Sequence, residues 1–191
     1  MKRILLAALV GTVVAYVWTT VAHMFLPIGM MGISLLPNED VVLQSLAENV
    51  PTAGMYIFPG WDVNKEMTDA EESAWYEKHR NGPAGIMIYQ PKGGEAMPPS
   101  MLITEFVSIL LATLILAFVA AALAGSYGTR VLLLTLFGFF AWFSISVSYW
   151  NWYSFPALAI IAEGIDIIIG ALVSALVIAK MVPGAGKTTA S

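Results

Sequence analysis

Three carboxylates stand where their neighbours are almost wholly apolar: Glu105, Glu163 and Asp166. His23 closes a fourth apolar stretch. An Asp at the middle of a membrane helix costs about 2.5–3.5 kcal/mol, so each such group needs a physical reason. One reason is a shared polar site of His23, Glu105, Glu163 and Asp166, able to hold a proton, a cation or a carboxylate-ligated metal. Carboxylates sharing a site cannot all stay ionised unless a cation is present. The blander alternative lets Glu105 and His23 reach the headgroup region and leaves Glu163 and Asp166 buried, hydrogen-bonded for assembly. One histidine without an E-x-x-H partner is a weak metal signal, and nothing in the chain points to a cofactor.

The elements that must position these groups are four apolar runs, at residues 4–25, 101–124, 131–150 and 156–179. Each is about 20 residues or longer, enough at about 1.5 Å per residue to cross about 30 Å of hydrocarbon. With 58% hydrophobic and only 12% charged residues, the chain has too little charge to cover a water-facing surface. Met1-Lys2-Arg3 precedes the first run. That run is longer than a signal-peptide core and no small-residue cleavage site closes it, so it is expected to remain as a transmembrane helix. Pro98-Pro99-Ser100 stops the chain before the second helix, with Ser100 as its expected N-cap. Gly125-Ser126-Tyr127-Gly128 reads as a tight turn before the third, Pro156 suits the first turn of the fourth, and Pro183-Gly184 ends it.

Helix direction sets the depth of the polar groups. Glu105 falls about one turn into the second helix, Glu163 about two and Asp166 about three turns into the fourth, and His23 in the last turn of the first, all in one half of the membrane. Ala7, Gly11, Ala15, Thr19 and His23 repeat every four residues, a small stripe for close helix contact. Glu105, Ser108 and Ala112 share a face of the second helix; Gly138, Ala141, Ser144 and Ser148 share one on the third; Glu163, Asp166, Gly170 and Ser174 share one on the fourth. Gly11, Ala15, Gly138 and Gly170 are the expected packing positions, and the four faces are expected to meet inside a bundle.

Lys2, Arg3, Arg130, Lys180 and Lys187 fall on one side if the four helices alternate, and the hairpin at residues 150–155 has no base. The positive-inside rule then puts both termini in the cytoplasm, most naturally in a bacterial inner membrane. Trp150, Trp152, Tyr153 and Phe155 form an aromatic belt at the outer interface, with Tyr149 just inside it.

Residues 26–100 form the outer domain, in which acids far outnumber Lys65, Lys78, Arg80 and Lys92. Asn38 is positioned to cap a helix running to about Glu48, and Thr68-x-x-Glu71 is a capping box for a second helix, stopped at Asn81-Gly82-Pro83. Gly54–Phe58 and Gly85–Tyr89 read as strands, giving a β–α–β unit too slight to fold alone. The fold class is therefore an all-α membrane protein: a four-helix transmembrane bundle at residues 1–25 and 101–182, a small α/β extracytoplasmic domain between helices 1 and 2, and a cytoplasmic tail at 183–191.

Other features carry little chemistry. Without cysteine there are no disulfides, thiolate metal sites or thiol-redox steps, which excludes the four-helix thiol oxidoreductases. Gly186-Lys187-Thr188 resembles the end of a phosphate loop, yet Met181 stands where the first glycine belongs and no strand precedes it. His79 with Asp69, Glu71 and Glu72 reads as a solvated helix face, and Met24, Met30, Met31 and Met101 as flexible packing rather than a soft-metal site. No basic run offers a nucleic-acid surface, so the expected partners are the lipid bilayer and other membrane subunits or a second copy. Three functions remain: a non-enzymatic accessory or scaffold subunit of a larger membrane complex, a small proton or cation carrier, and an enzyme acting on a lipid or quinone.

Overall fold

In a computed structural model, residues 1–186 are described. Lys187 of the basic tail, and with it the phosphate-loop resemblance through Thr188, lies outside them. The protein is mostly helical and carries four helices long and apolar enough to cross a membrane, the mark of a multi-pass membrane protein. It divides into two compact units: Met1–Ile33 together with the chain from Met97 onward, and Ser34–Ala96.

In the first unit, α1 (Lys2–Met24), α4 (Pro99–Ala122) and α7 (Ala157–Met181) are uninterrupted helices. The third span, Tyr127–Tyr153, is built of α5 (Tyr127–Ala141), a π-helical turn (Trp142–Ser146) and α6 (Val147–Tyr153). A short 3₁₀ turn, Pro27–Met30, follows α1. Two of the expected helix starts need correction. The N-cap of α4 is Pro98, which makes no side-chain cap, and Ser100 lies inside the helix. The turn before α5 is shorter than the Gly125–Gly128 pattern implied, because Ser126 accepts the Thr129 N–H at 3.2 Å and the helix starts at Tyr127.

The packing order is α4 on α1, α1 on α7, and α7 on α5, while α4 and α5 barely meet. The core is made chiefly of small residues: Ala7 and Ala8 of α1, Ala117 and Ala120 of α4, and Ala175 and Ala179 of α7, with Leu116, Leu134, Ile178 and Val182 filling between them. These positions lie early in α1 and in the span that α5 begins, and late in α4 and α7, so the tight packing sits at the end where α1 starts and α7 finishes. Small side chains permit it, because van der Waals contact between closely approaching backbones is what holds helices together in lipid. Thr12 and Thr113 share a buried hydrogen bond of 2.7 Å across α1 and α4, and Ser174 donates to the Gly11 carbonyl at 3.3 Å.

The expectation that four polar faces meet inside does not hold for all four. Glu105, Ser108 and Ser144 are exposed. The reason is the gap between α4 and α5: α4 turns Thr113, Leu116, Ala117 and Ala120 inward, and its Glu105 face lies at an open edge.

The second unit contains α2 (Glu39–Asn49), β1 (Gly54–Phe58), α3 (Asp69–Asn81) and β2 (Gly85–Tyr89). The strands pair antiparallel, from Gly54 opposite Tyr89 to Phe58 opposite Gly85. The β–α–β order is therefore a hairpin whose connection contains a helix, not a parallel crossover. The Thr68–Glu71 capping box is formed in both directions, and α3 ends at Gly82. Asn38 occupies the N-cap of α2 in the left-handed region (φ 52°) but makes no side-chain cap. Trp75 of α3 anchors the hairpin, donating to the Pro59 carbonyl at 3.1 Å and meeting Trp61 edge to face.

Candidate functional site

The chemistry of the helical unit gathers around Asp166, about three turns into α7. One carboxylate oxygen, Oδ2, accepts a hydrogen bond from Thr19 Oγ1 at 3.1 Å and lies 3.1 Å from His23 Nε2. The other, Oδ1, is sealed from solvent and has no partner among the described residues. Trp18 adds a third link from α1, its indole N–H donating to the Asp166 backbone carbonyl at 3.1 Å. Residues 18, 19 and 23 belong to adjacent turns of one helix, so a single close α1–α7 contact delivers all three groups. The His23 side chain is 54% exposed and that of Asp166 19%, so the pair spans the boundary of the helix packing. Gly29 fits beneath the imidazole, where an added Cβ would lie 2.8 Å from Nδ1.

Asp166 also lines a cavity of about 430 Å³ bounded by α1, α4, α5 and α7. Its wall is apolar apart from a few groups, and Glu105 of α4 is among them. His23 and Glu163 do not line it. The structure thus brings Asp166 and His23 into contact and places Glu105 on the same cavity as Asp166. Glu163 is exposed and makes no hydrogen bond or ion pair among the described residues. No group of three or more His, Asp or Glu side chains suited to a metal ion occurs among those residues.

The packing positions differ from one another. Gly11 and Ala15 are buried, and an added Cβ at Gly11 would come within 3.0 Å of the flexible end of Ile178. At Gly138 it would meet Ala171 Cβ at 2.8 Å and the Ile167 carbonyl at 3.2 Å, a genuine close approach of α5 to α7. Gly170 is the exception: its Cβ would meet only Trp18 Cδ1 at 3.6 Å, because Gly170 faces the cavity. Gly164, absent from the expected stripe, is the tightest of this group, with Trp142 ring atoms 2.6 Å from where its Cβ would stand. That indole donates to the Ile160 carbonyl at 2.9 Å from the first residue of the π-helical turn.

No family model matches the chain, and neither a curated protein nor a solved structure does.

Sequence reasoning missed three contributors. Thr19 was legible only as a small stripe residue, although its hydroxyl is one helical turn before His23. Trp18 gave no signal beyond being an aromatic in a membrane run. Arg130 read as a topology marker at a membrane face. In the structure it is 4% exposed and donates to the carbonyls of Ala120 at 2.8 Å, Ala179 at 3.0 Å and Val182 at 2.8 Å. The available signal was a base immediately before an apolar run with no acid near it in sequence, for which helix-end carbonyls are the remaining acceptors. The aromatic residues Trp150, Trp152, Tyr153 and Phe155 are all exposed, with Tyr149 stacked on Phe155 at 5.5 Å.

Proposed function

We propose that the chain is a non-enzymatic accessory or scaffold subunit of a larger membrane complex, with a transmembrane four-helix bundle, both termini in the cytoplasm and residues 26–100 outside, in a bacterial inner membrane. Glu163 carries this reading. It lies about two turns into a helix apolar enough to span the bilayer, is exposed, and has no partner among the described residues. A carboxylate left against hydrocarbon is costly, and a partner helix that supplies a base, hydroxyl or amide removes that cost. Orientation rests on the placement of the bases: Lys2, Arg3 and Lys180 lie at the ends of helices that alternate in direction.

The test is purification in mild detergent followed by cross-linking in native membranes. A partner or second copy in fixed stoichiometry is expected, and Glu163→Leu should deplete it while leaving the chain folded and inserted. A monomer that keeps no partner in native lipid, with Glu163→Leu indistinguishable from the parent, would overturn the reading.

One observation favours a second reading, proton or cation handling: the Asp166–His23–Thr19 contact at the edge of a cavity. The readings part on reconstituted vesicles, where only the second gives a flux that Asp166→Asn abolishes.

A further inference from the structure

The cavity bounded by α1, α4, α5 and α7 has the chemistry of a ligand site independent of any partner subunit. At about 430 Å³ it lies within the range of small-molecule pockets. Its charged lining residues, Glu105 and Asp166, are both acids, and among the described residues no Lys or Arg lines it. Trp18, Phe137 and Phe140 contribute aromatic rings to the same wall. Acids combined with aromatic faces select a positive charge, and quaternary ammonium groups in particular, since ring quadrupoles attract a cation that makes no strong hydrogen bonds of its own. Low dielectric around apolar walls strengthens that attraction. One oxygen of Asp166, Oδ1, has no partner among the described residues but is sealed from solvent, so a head group must turn the carboxylate to engage it. Entry is lateral: α4 and α5 barely meet, so the way in passes between two apolar helices. A ligand that arrives there must itself be apolar over most of its surface.

We propose that this cavity binds a lipophilic cation, an apolar body carrying an amine or quaternary ammonium head, with Asp166 and Glu105 facing the head and the α4–α5 gap admitting the tail. An anionic amphiphile is disfavoured by the two acids, and a neutral one gains nothing from them.

Matched probes test it. Octyltrimethylammonium, octanol and octanoate share a tail and differ in head charge. Their binding to the full chain in lipid nanodiscs is measured against empty nanodiscs. The cation should bind saturably at one site per chain, about tenfold or more tighter than either other probe, and Asp166→Asn should weaken it by about tenfold or more. Glu105→Gln serves as the second charge variant if Asp166→Asn fails to assemble. Gly170→Leu fills the cavity from a position whose Cβ meets nothing closer than 3.6 Å. It should abolish binding while the helices still form. Equal binding of all three probes would reduce the cavity to a slot for lipid tails and overturn the proposal. So would the absence of saturable binding, cation binding that survives Gly170→Leu, or a partner helix found occupying the gap.

Discussion

Arg130 is a guanidinium buried among helix ends, with its fork shared by the last turns of two helices. Ala120 belongs to the final turn of α4, while Ala179 and Val182 belong to the end of α7. Carbonyls at a helix C-terminus lack intrahelical donors and carry the negative end of the dipole, so a cation placed there meets both needs at once. Gly184 closes over the group: a Cβ at that position would stand 2.5 Å from the Leu123 carbonyl and 3.2 Å from Arg130 Nε. Replacing Arg130 by Met should leave three carbonyls without their donor and cost about 3 kcal/mol or more. Lys at the same position keeps the charge but cannot reach three acceptors with a planar fork, so recovery should be partial. Thermal unfolding in mild detergent reads both, with the midpoint ordered parent, Lys, Met. A Met variant as stable as the parent would show that the carbonyls find other donors.

At the scale of elements, the capping box of α3 was legible because its signal is local: Thr68 and Glu71 are three residues apart and need nothing else. The structure adds Lys65, which pairs with Glu71 at 2.7 Å. The Lys65 hydrogen bond first, then the backbone and hydroxyl of Thr68, lower the Glu71 pKa from 4.5 to about 2. A carboxylate depressed in the folded state stabilises the helix start above its unfolded value and loses that contribution as pH falls through the folded one. Amide protection in the first turn of α3 should therefore be level above about pH 4.5 and decline from there towards pH 2. In Lys65→Met the decline should be shallower and finish at a higher pH, because the largest lowering cause is gone. A pH profile unchanged by that substitution would mean the ion pair does not form in solution. Strand direction was not legible in the same way: Gly54–Phe58 and Gly85–Tyr89 announce themselves as strands, but their pairing depends on how the chain between them returns. Similarly, Asn38 is of the right type for a cap, yet its left-handed backbone (φ 52°) makes no side-chain cap.

For the whole molecule, the four helices long and apolar enough to cross a membrane were readable because that property depends on length and composition, quantities that survive any detail of packing. Which helix faces meet depends on pairwise shape, and there the stripes misled at Gly170 and Glu105, Gly164 went unread, and Arg130 was read only for topology. Orientation is a third kind of property, set by charge rather than by packing. Among the described residues, the bases of the helical unit stand near one end of the spans: Lys2 and Arg3 open α1, Arg130 lies in the first turn of α5, and Lys180 in the last turn of α7. Arg130 is buried against carbonyls and is therefore a weaker topological marker than its sequence position implied, which leaves Lys2, Arg3 and Lys180 to carry the rule. The absence of cysteine makes a direct test clean. Ser73→Cys lies on the exposed face of α3 and Ala185→Cys just beyond α7, at another exposed position. In intact cells a membrane-impermeant maleimide should label the first, and the second only after the membrane is opened. Labelling of both from outside would remove one span from the four-crossing arrangement. Labelling of Ala185→Cys alone would invert it, and the acidic residues between positions 26 and 100 would then face the cytoplasm.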